Sequence, residues 1–185
     1  MRVLPLLATP EPIRRLCPGT IVAVQASIRA ATADDLDRIT EIYDSYIVAS
    51  HVSFDTEPWS ARRRKEWWKD CRGRVLVAEH DGVVVGTTYA AQWRDKQAYA
   101  FSVETTVVLT PDAIGSGFGT ALLGALLDLL RDEGIHRAYA IIALPNDASV
   151  ALHEKLGYRE IGVLDQVGFK MGRYWSTLLM ERALD

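Results

Sequence analysis

The alternation of apolar and polar positions picks out short strands and amphipathic helices along most of the chain. Patterning begins at Ser27-Ile28-Arg29-Ala30, which reads as a short strand. Thr32, followed by Asp34 and Asp35, has the composition of a helix start: a hydroxyl can cap free N–H groups, and acids suit the positive end of the helix dipole. Leu36, Ile39, Ile42 and Tyr43 then recur at helical spacing. Pro58 breaks the next loop, and a second, charged helix bearing Trp67 and Trp68 is expected after it.

Arg74–Glu79 and Val83–Ala90 are strand-like runs joined by His80-Asp81-Gly82, a hairpin turn signal. A third strand is predicted from Tyr99 to Leu109. Short links between three strands imply an antiparallel meander. Thr110-Pro111-Asp112 ends it. Gly115, Gly117 and Gly119 precede an apolar helix over Thr120–Leu130, closed by Gly134. A strand over His136–Ala143, a helix over Asn146–Leu156 ended by Gly157, and strands near Arg159–Val163 and Tyr174–Glu181 complete the chain. The predicted order is β-α-α-β-β-β-α-β-α-β-β. It describes an α/β (α+β) chain: a mixed, mostly antiparallel seven-stranded sheet with helices on both faces.

Composition narrows this picture. A chain of 185 residues, 49% apolar and 24% charged, suits one domain with a sizeable core. Residues 1–26 carry several prolines and little periodicity, so they read as an irregular N-terminal extension to a single domain over residues 27–185. A net charge of -3 offers no basic field for nucleic acid. The run Arg62-Arg63-Arg64-Lys65 is followed by Glu66 and Asp70 and reads as a solvated helix face. No apolar run approaches the ~20 residues of a membrane span. Met1–Ala8 is short and broken by Pro5, so neither a membrane partner nor export is expected. Cys17 and Cys71, and His51, His80, His136 and His153, lack metal-ligand spacing; no metal is expected, and a reducing cytoplasm is the expected compartment.

The most informative segment is Gly115-Ser116-Gly117-Phe118-Gly119-Thr120 at a predicted helix N-terminus. Such a turn exposes backbone N–H groups, the helix dipole favours an anion there, and glycine lets a phosphate approach closely. A pyrophosphate-bearing ligand is the physical inference. The Gly-Lys-Ser/Thr of a Walker A loop is missing. A dinucleotide fingerprint fails too: Thr120 stands at its third glycine, and Ile135-His136-Arg137 stand where an acid is needed.

These residues resemble the acetyl-CoA motif of GNAT-superfamily acetyltransferases, Q/R-x-x-G-x-G/A, with Gly117 and Gly119 as its glycines and Ile114 in place of the usual Gln or Arg. The block Ala143-Leu144-Pro145-Asn146 through Leu152-His153-Glu154-Lys155-Leu156-Gly157-Tyr158 resembles the second cofactor-side motif of the same superfamily. Across residues 28–180 the chain resembles the phosphinothricin and methionine sulfoximine or sulfone N-acetyltransferases. The matching pieces include Val52-Ser53-Phe54-Asp55-Thr56-Glu57-Pro58, Tyr89-Ala90-Ala91-Gln92-Trp93-Arg94, Glu104-Thr105-Thr106-Val107 and Gly168-Phe169-Lys170-Met171-Gly172.

The resemblance implies acetyl-CoA as cosubstrate and direct transfer to a small amino-acid-like amine. It implies a cofactor cradle of Val107, Val108, Leu109, Gly115, Ser116, Gly117, Phe118, Gly119 and Thr120, with Asn146 and Ser149 along the pantetheine arm. Glu104 takes the place of the general base and His153 that of a general acid towards the leaving thiolate. The chemistry suits both, since a carboxylate can deprotonate an ammonium and imidazole titrates near operating pH. Arg94 and Lys96 match positions that hold an acceptor carboxylate; Phe54, Trp93 and Tyr99 would wall its pocket. A homodimer is implied as well. Arg173-Tyr174-Trp175-Ser176-Thr177 departs from the family's Asn-Trp-His-Asp-like run, which leaves other acceptors open: a polyamine, an aminoglycoside or a protein N-terminus. A non-catalytic acyl-CoA-binding module is the alternative from another class.

Overall fold

A computed structural model describes residues 26–71 and 73–185. Residues 1–25 of the proposed extension, with Cys17, therefore lie outside the described residues, while its last residue, Ala26, belongs to the first strand because it pairs with His80. The strands are β1 (Ala26–Ala30), β2 (Val75–His80), β3 (Val83–Gln92), β4 (Ser102–Leu109), β5 (Arg137–Ala143), β6 (Arg159–Lys170) and β7 (Arg173–Ala183). The helices are α1 (Leu36–Ala49), α2 (Ala61–Asp70), α3 (Phe118–Asp132) and α4 (Asp147–Lys155). The strands form one sheet in the order β1-β2-β3-β4-β5-β7-β6, and β4–β5 is its parallel pair.

Side-chain parity shows why helices cover both faces. Strand residues alternate between faces. In β2, Leu76 and Ala78 join α3 residues such as Leu122, Leu126 and Leu130 in one core, while Val75 and Val77 join Ile39 and Ile42 of α1 and Tyr89 in another. β2 thus reads as a continuous apolar run because both of its faces are buried. The β2–β3 hairpin turns on Asp81-Gly82, with φ of 51° and 77°, the left-handed pair a two-residue turn requires.

Several predicted boundaries shift for local reasons. The third strand starts at Ser102, not Tyr99, because Lys96–Ala100 satisfies its backbone in a 3-10 turn: Tyr99 N–H donates to Lys96 O at 2.9 Å and Ala100 N–H to Gln97 O at 3.0 Å. A 3-10 turn, Ala33–Asp35, precedes α1. Thr32 is the N-cap of this turn, and Asp35 closes it by accepting from the Thr32 N–H (2.8 Å) and hydroxyl (3.1 Å). α3 begins two residues before Thr120, since Gly117 serves as its N-cap.

β6 runs to Lys170, well past Val163. Its ladder with β7 is interrupted between Leu164 and Gly168, where Gln166 takes φ 49°; the Ser176 hydroxyl bridges the bulge, donating to Asp165 and accepting from Gln166 N–H. β6 is also an edge strand with exposed Ile161, Val163, Leu164, Val167 and Phe169. No helix among the described residues is long and apolar enough to cross a membrane, and no cluster of three or more metal-ligating side chains occurs among them.

Candidate active site

The site is organised by the point where β4 and β5 part. Their parallel pairing runs Ser102↔Arg137, Val103↔Ala138, Glu104↔Tyr139 and stops there among the described residues. Trp93 N–H donates to Ser102 O at 3.0 Å and Thr110 N–H to Val85 O at 2.8 Å. In a ladder, alternate residues turn their polar groups to the same neighbour. Even-numbered β4 residues therefore bond to β3, and Thr105, Val107 and Leu109 turn theirs towards the side β5 has left. Tyr46 Oη donates to Leu109 O at 2.6 Å, fixing the far end. The N–H and C=O of Val107 are left facing the opening.

Thr105 sits at the apex. Its hydroxyl donates to Tyr139 O at 3.1 Å and lies 2.7 Å from Tyr158 Oη, in buried surroundings. A hydroxyl has one proton, so the Tyr158 phenol donates to Thr105. Burial pushes the Tyr158 phenol up to about 12. Its ring meets His153 edge-on, centroids 4.9 Å apart.

His153 on α4 is 3% exposed. Its Nδ1 lies 2.8 Å from Ser149 O and 3.4 Å from Ser149 Oγ. A carbonyl only accepts, so Nδ1 carries the proton and the neutral ring presents a lone pair at Nε2. That atom is buried with no hydrogen-bond partner among the described residues. Burial holds the imidazole below its ordinary pKa, against the pull of the Ser149 carbonyl.

Glu104 occupies the other face. It pairs with Ala91 and Tyr139, and Trp93 stacks on Tyr139 with centroids 4.6 Å apart. The Arg94 guanidinium lies 5.1 Å from the Trp93 ring centroid. Burial raises the Glu104 carboxyl above its ordinary pKa, and the positive charge of Arg94 partly offsets this. Lys96 and Tyr99 are exposed and follow Arg94 in the chain, Lys96 as the N-cap and Tyr99 as the last residue of the 3-10 turn. Phe54 comes from the α1–α2 loop and packs on Gly168 of β6.

The glycine turn has the form an anion site needs. Gly117 adopts φ 91° as the N-cap of α3, without a capping side chain, which leaves the N–H groups of Phe118, Gly119 and Thr120 free of helical partners. A Cβ on Gly115 or Gly117 would meet nothing within 4 Å, so the cradle is open. Ser116 Oγ is held against Ala113 O at 2.5 Å. Gly119 has a packing task instead: a Cβ there would press Leu152 of α4 at 3.2 Å, so its absence lets α3 and α4 close up. Ile114 is exposed beside the turn. Asn146 caps α4, its Oδ1 accepting from Ser149 N–H at 3.2 Å, which leaves its amide NH2 to donate elsewhere.

The fold thus joins Glu104, Trp93 and Arg94 on one face and Asn146, Ser149 and His153 on the other, with Val107 at the opening between. Sequence reasoning passed over Thr105, Tyr139, Tyr158 and the Tyr46 hydroxyl. A threonine at a core-facing strand position is the one signal that could have flagged the first, since a buried hydroxyl needs partners.

Residues 37–158 match the Acetyltransferase (GNAT) family. The chain is 39% identical to a phosphinothricin N-acetyltransferase of Streptomyces coelicolor, across 90% of this chain and 99% of that protein. It is 34% identical to an L-methionine sulfoximine/L-methionine sulfone acetyltransferase of Pseudomonas paraeruginosa, across 88% of this chain and 96% of that protein. Its fold superposes on the crystal structure of a GNAT superfamily phosphinothricin acetyltransferase from Sinorhizobium meliloti in complex with AcCoA, with TM-score 0.82, 34% identity, and coverage of 85% of this chain and 88% of that one. The chain belongs to the GNAT family of N-acetyltransferases.

Proposed function

We propose that the protein acetylates the primary amine of a small amino-acid-like acceptor, of the phosphinothricin or methionine sulfoximine/sulfone type, by direct attack on acetyl-CoA. The observation that carries this reading is the opening beyond Glu104↔Tyr139, with a raised-pKa carboxyl on one face and a bare, buried imidazole nitrogen on the other. Acetyl-CoA supplies a thioester carbonyl; its pyrophosphate suits the free N–H groups of Phe118, Gly119 and Thr120, with Gly115 and Ser116 completing the cradle. Val107, Val108 and Leu109 would line the pantetheine arm, with Asn146 and Ser149 opposite. The Val107 N–H would polarise the carbonyl.

Two protons must leave the acceptor nitrogen and one must reach the thiolate. Glu104 takes the first, turning the ammonium into the attacking amine. A neutral His153 has no spare proton to give at the outset. It can accept the second at Nε2 as the new amide forms and pass it to the departing sulfur, so the general-acid role becomes that of a shuttle. Cys71 is buried, its thiol pushed up to about 12, which suits the absence of an acyl-cysteine step. Arg94 and Lys96 are assigned to the acceptor carboxylate, with Phe54, Trp93 and Tyr99 as walls. Residues 26–185 are read as a single domain, with the residues before them as an extension. The exposed apolar positions of β6 support a homodimer.

A thiol-release assay with acetyl-CoA against amino acids and their analogues tests the reading. Turnover of a carboxylate-bearing amine is expected, and Glu104→Gln should cut kcat at neutral pH by ~10²-fold or more. An unchanged rate removes Glu104 from the role. Tight binding of coenzyme A with no turnover across the panel favours a binding module.

A further inference from the structure

Three residues of the α1–α2 loop are tied to the C-terminal hairpin. The His51 ring stacks on Trp175 with centroids 4.0 Å apart and planes 10° from parallel, and His51 Nε2 donates to Pro145 O at 3.0 Å. Lys170 Nζ donates to Ser53 O at 2.7 Å. The Phe54 ring fills the space over Gly168: a Cβ on that glycine would overlap Phe54 Cε2 and come within 2.7 Å of two more ring carbons. Trp175 Nε1 in turn donates to Lys170 O at 2.8 Å, and the Arg173 guanidinium lies 3.6 Å from the Trp175 ring centroid.

Two features here are unfavourable for folding alone. A glycine inside a strand weakens it. Lys170 is 7% exposed, and its ammonium has three protons for one carbonyl acceptor in its described contacts. Both meet neighbouring residues, Ser53 and Phe54, on a loop whose aromatic is half exposed. Costs concentrated on the placement of one ring point to that ring's position as what they secure.

We propose that Gly168 and Lys170 set acceptor selectivity through Phe54: Gly168 by leaving room for the ring on β6, and Lys170 by fixing the backbone at Ser53. They are positioning residues and need not touch the acceptor. The inference rests on the reading that Phe54 walls the acceptor pocket. It also gives the divergent run Arg173–Ser176 a route to selectivity, through Trp175 to the Lys170 backbone and to His51.

The test is a kinetic comparison of Gly168→Ala, Lys170→Met, Lys170→Arg, Phe54→Ala and the Gly168→Ala/Phe54→Ala double variant, with acetyl-CoA and amino-acid acceptors of graded side-chain size. Gly168→Ala should change the ratio of kcat/KM between the largest and smallest acceptors by ~10-fold or more, the scale on which a pocket reads a methylene or two, while KM for acetyl-CoA stays within about twofold. In the Phe54→Ala background the same substitution should have no further effect, because no ring remains to displace. Lys170→Met should shift the ratio, and Lys170→Arg should restore it. If Gly168→Ala folds poorly, the double variant should recover the yield; failure to recover overturns the proposal. Unchanged selectivity in Gly168→Ala and Lys170→Met overturns it while acetyltransfer itself stands, as does an equal Gly168→Ala effect with and without Phe54. Absence of turnover by the unsubstituted enzyme on every acceptor overturns the underlying reading together with it.

Discussion

Replacing Thr105 by valine tests whether the fork between β4 and β5 is held by a hydrogen-bond relay. The substitution keeps the shape and deletes one hydroxyl. Two bonds go with it: the one to Tyr139 O (3.1 Å) and the one received from Tyr158 (2.7 Å). The Tyr158 phenol then has a buried proton and no acceptor, a cost of ~1–3 kcal/mol. Tyr158→Phe leaves Thr105 donating to Tyr139 O, so it should cost only ~0.5–1.5 kcal/mol. With both changes no phenol is orphaned, and the double variant should be more stable than the sum of the singles predicts by ~1 kcal/mol or more. In a chain of this size ~1 kcal/mol moves Tm by ~2–4 °C. Urea denaturation of the four proteins at pH 7 measures the cycle. A coupling within ~0.3 kcal/mol of zero would show that the two hydroxyls do not share a proton, and the relay would be wrong. Thr105→Val should also lower kcat while the KM for acetyl-CoA stays nearly unchanged, since it loosens the apex and leaves the glycine turn alone.

Three further outcomes follow from charges and surfaces. Arg94 lowers the pKa of Glu104, so Arg94→Ala should move the acidic limb of the kcat/KM profile to higher pH, and raise KM chiefly for carboxylate-bearing acceptors; an unmoved limb, or an equal loss with neutral amines, contradicts the assignment. The fork of Arg29 on Asp35, at 2.7 and 2.8 Å, holds that carboxyl at about 2 against 3.8. A depressed carboxyl pKa stabilises above the unfolded value and ceases to as pH falls through the folded one. Asp35→Asn should therefore cost about 2 kcal/mol at pH 7, in a gap that closes between about pH 4 and pH 2 in denaturant titrations. Val167→Lys on the exposed β6 edge should convert the proposed homodimer to a monomer by sedimentation; a monomeric unsubstituted protein, or an unchanged mass in the variant, would refute a β6 interface.

Much of this architecture is legible in sequence because it rests on local rules. Period-two apolar runs, Asp81-Gly82 and the glycines before α3 have local causes. What was hidden is long-range. Tyr99 looked like the start of a strand because its apolar neighbours continue the pattern, and the 3-10 bonds that remove it are invisible in composition. Apolar patterning alone ends β6 at Val163, because its later pairing depends on a bulge bridged by Ser176, ten residues on from Gln166. Thr105 and Tyr158 lie 53 residues apart, and their bond exists only once α4 has docked. Asn146 makes the cap expected of an asparagine alone, and that cap uses only its oxygen, leaving the amide NH2 to donate.

The strand β4 explains how so few residues can serve such different ends. Side chains alternate between faces, so Glu104 and Thr105, one residue apart, belong to different compartments. Glu104 joins the α1–α2 face with Trp93 and Tyr139, where the proposed reaction would deprotonate the acceptor; Thr105 joins the α3–α4 face with Tyr158 and His153. Backbone groups alternate too, within the plane of the sheet, which turns Val107 towards the space between. The departure of β5 after Tyr139 is what makes these three directions meet, because a paired strand there would occupy the Val107 N–H and seal one face from the other. The proposed cofactor site can accommodate Ile114 within the same logic. The cradle of α3 offers main-chain N–H groups, and the identity of a side chain beside them decides only whether a further contact is added.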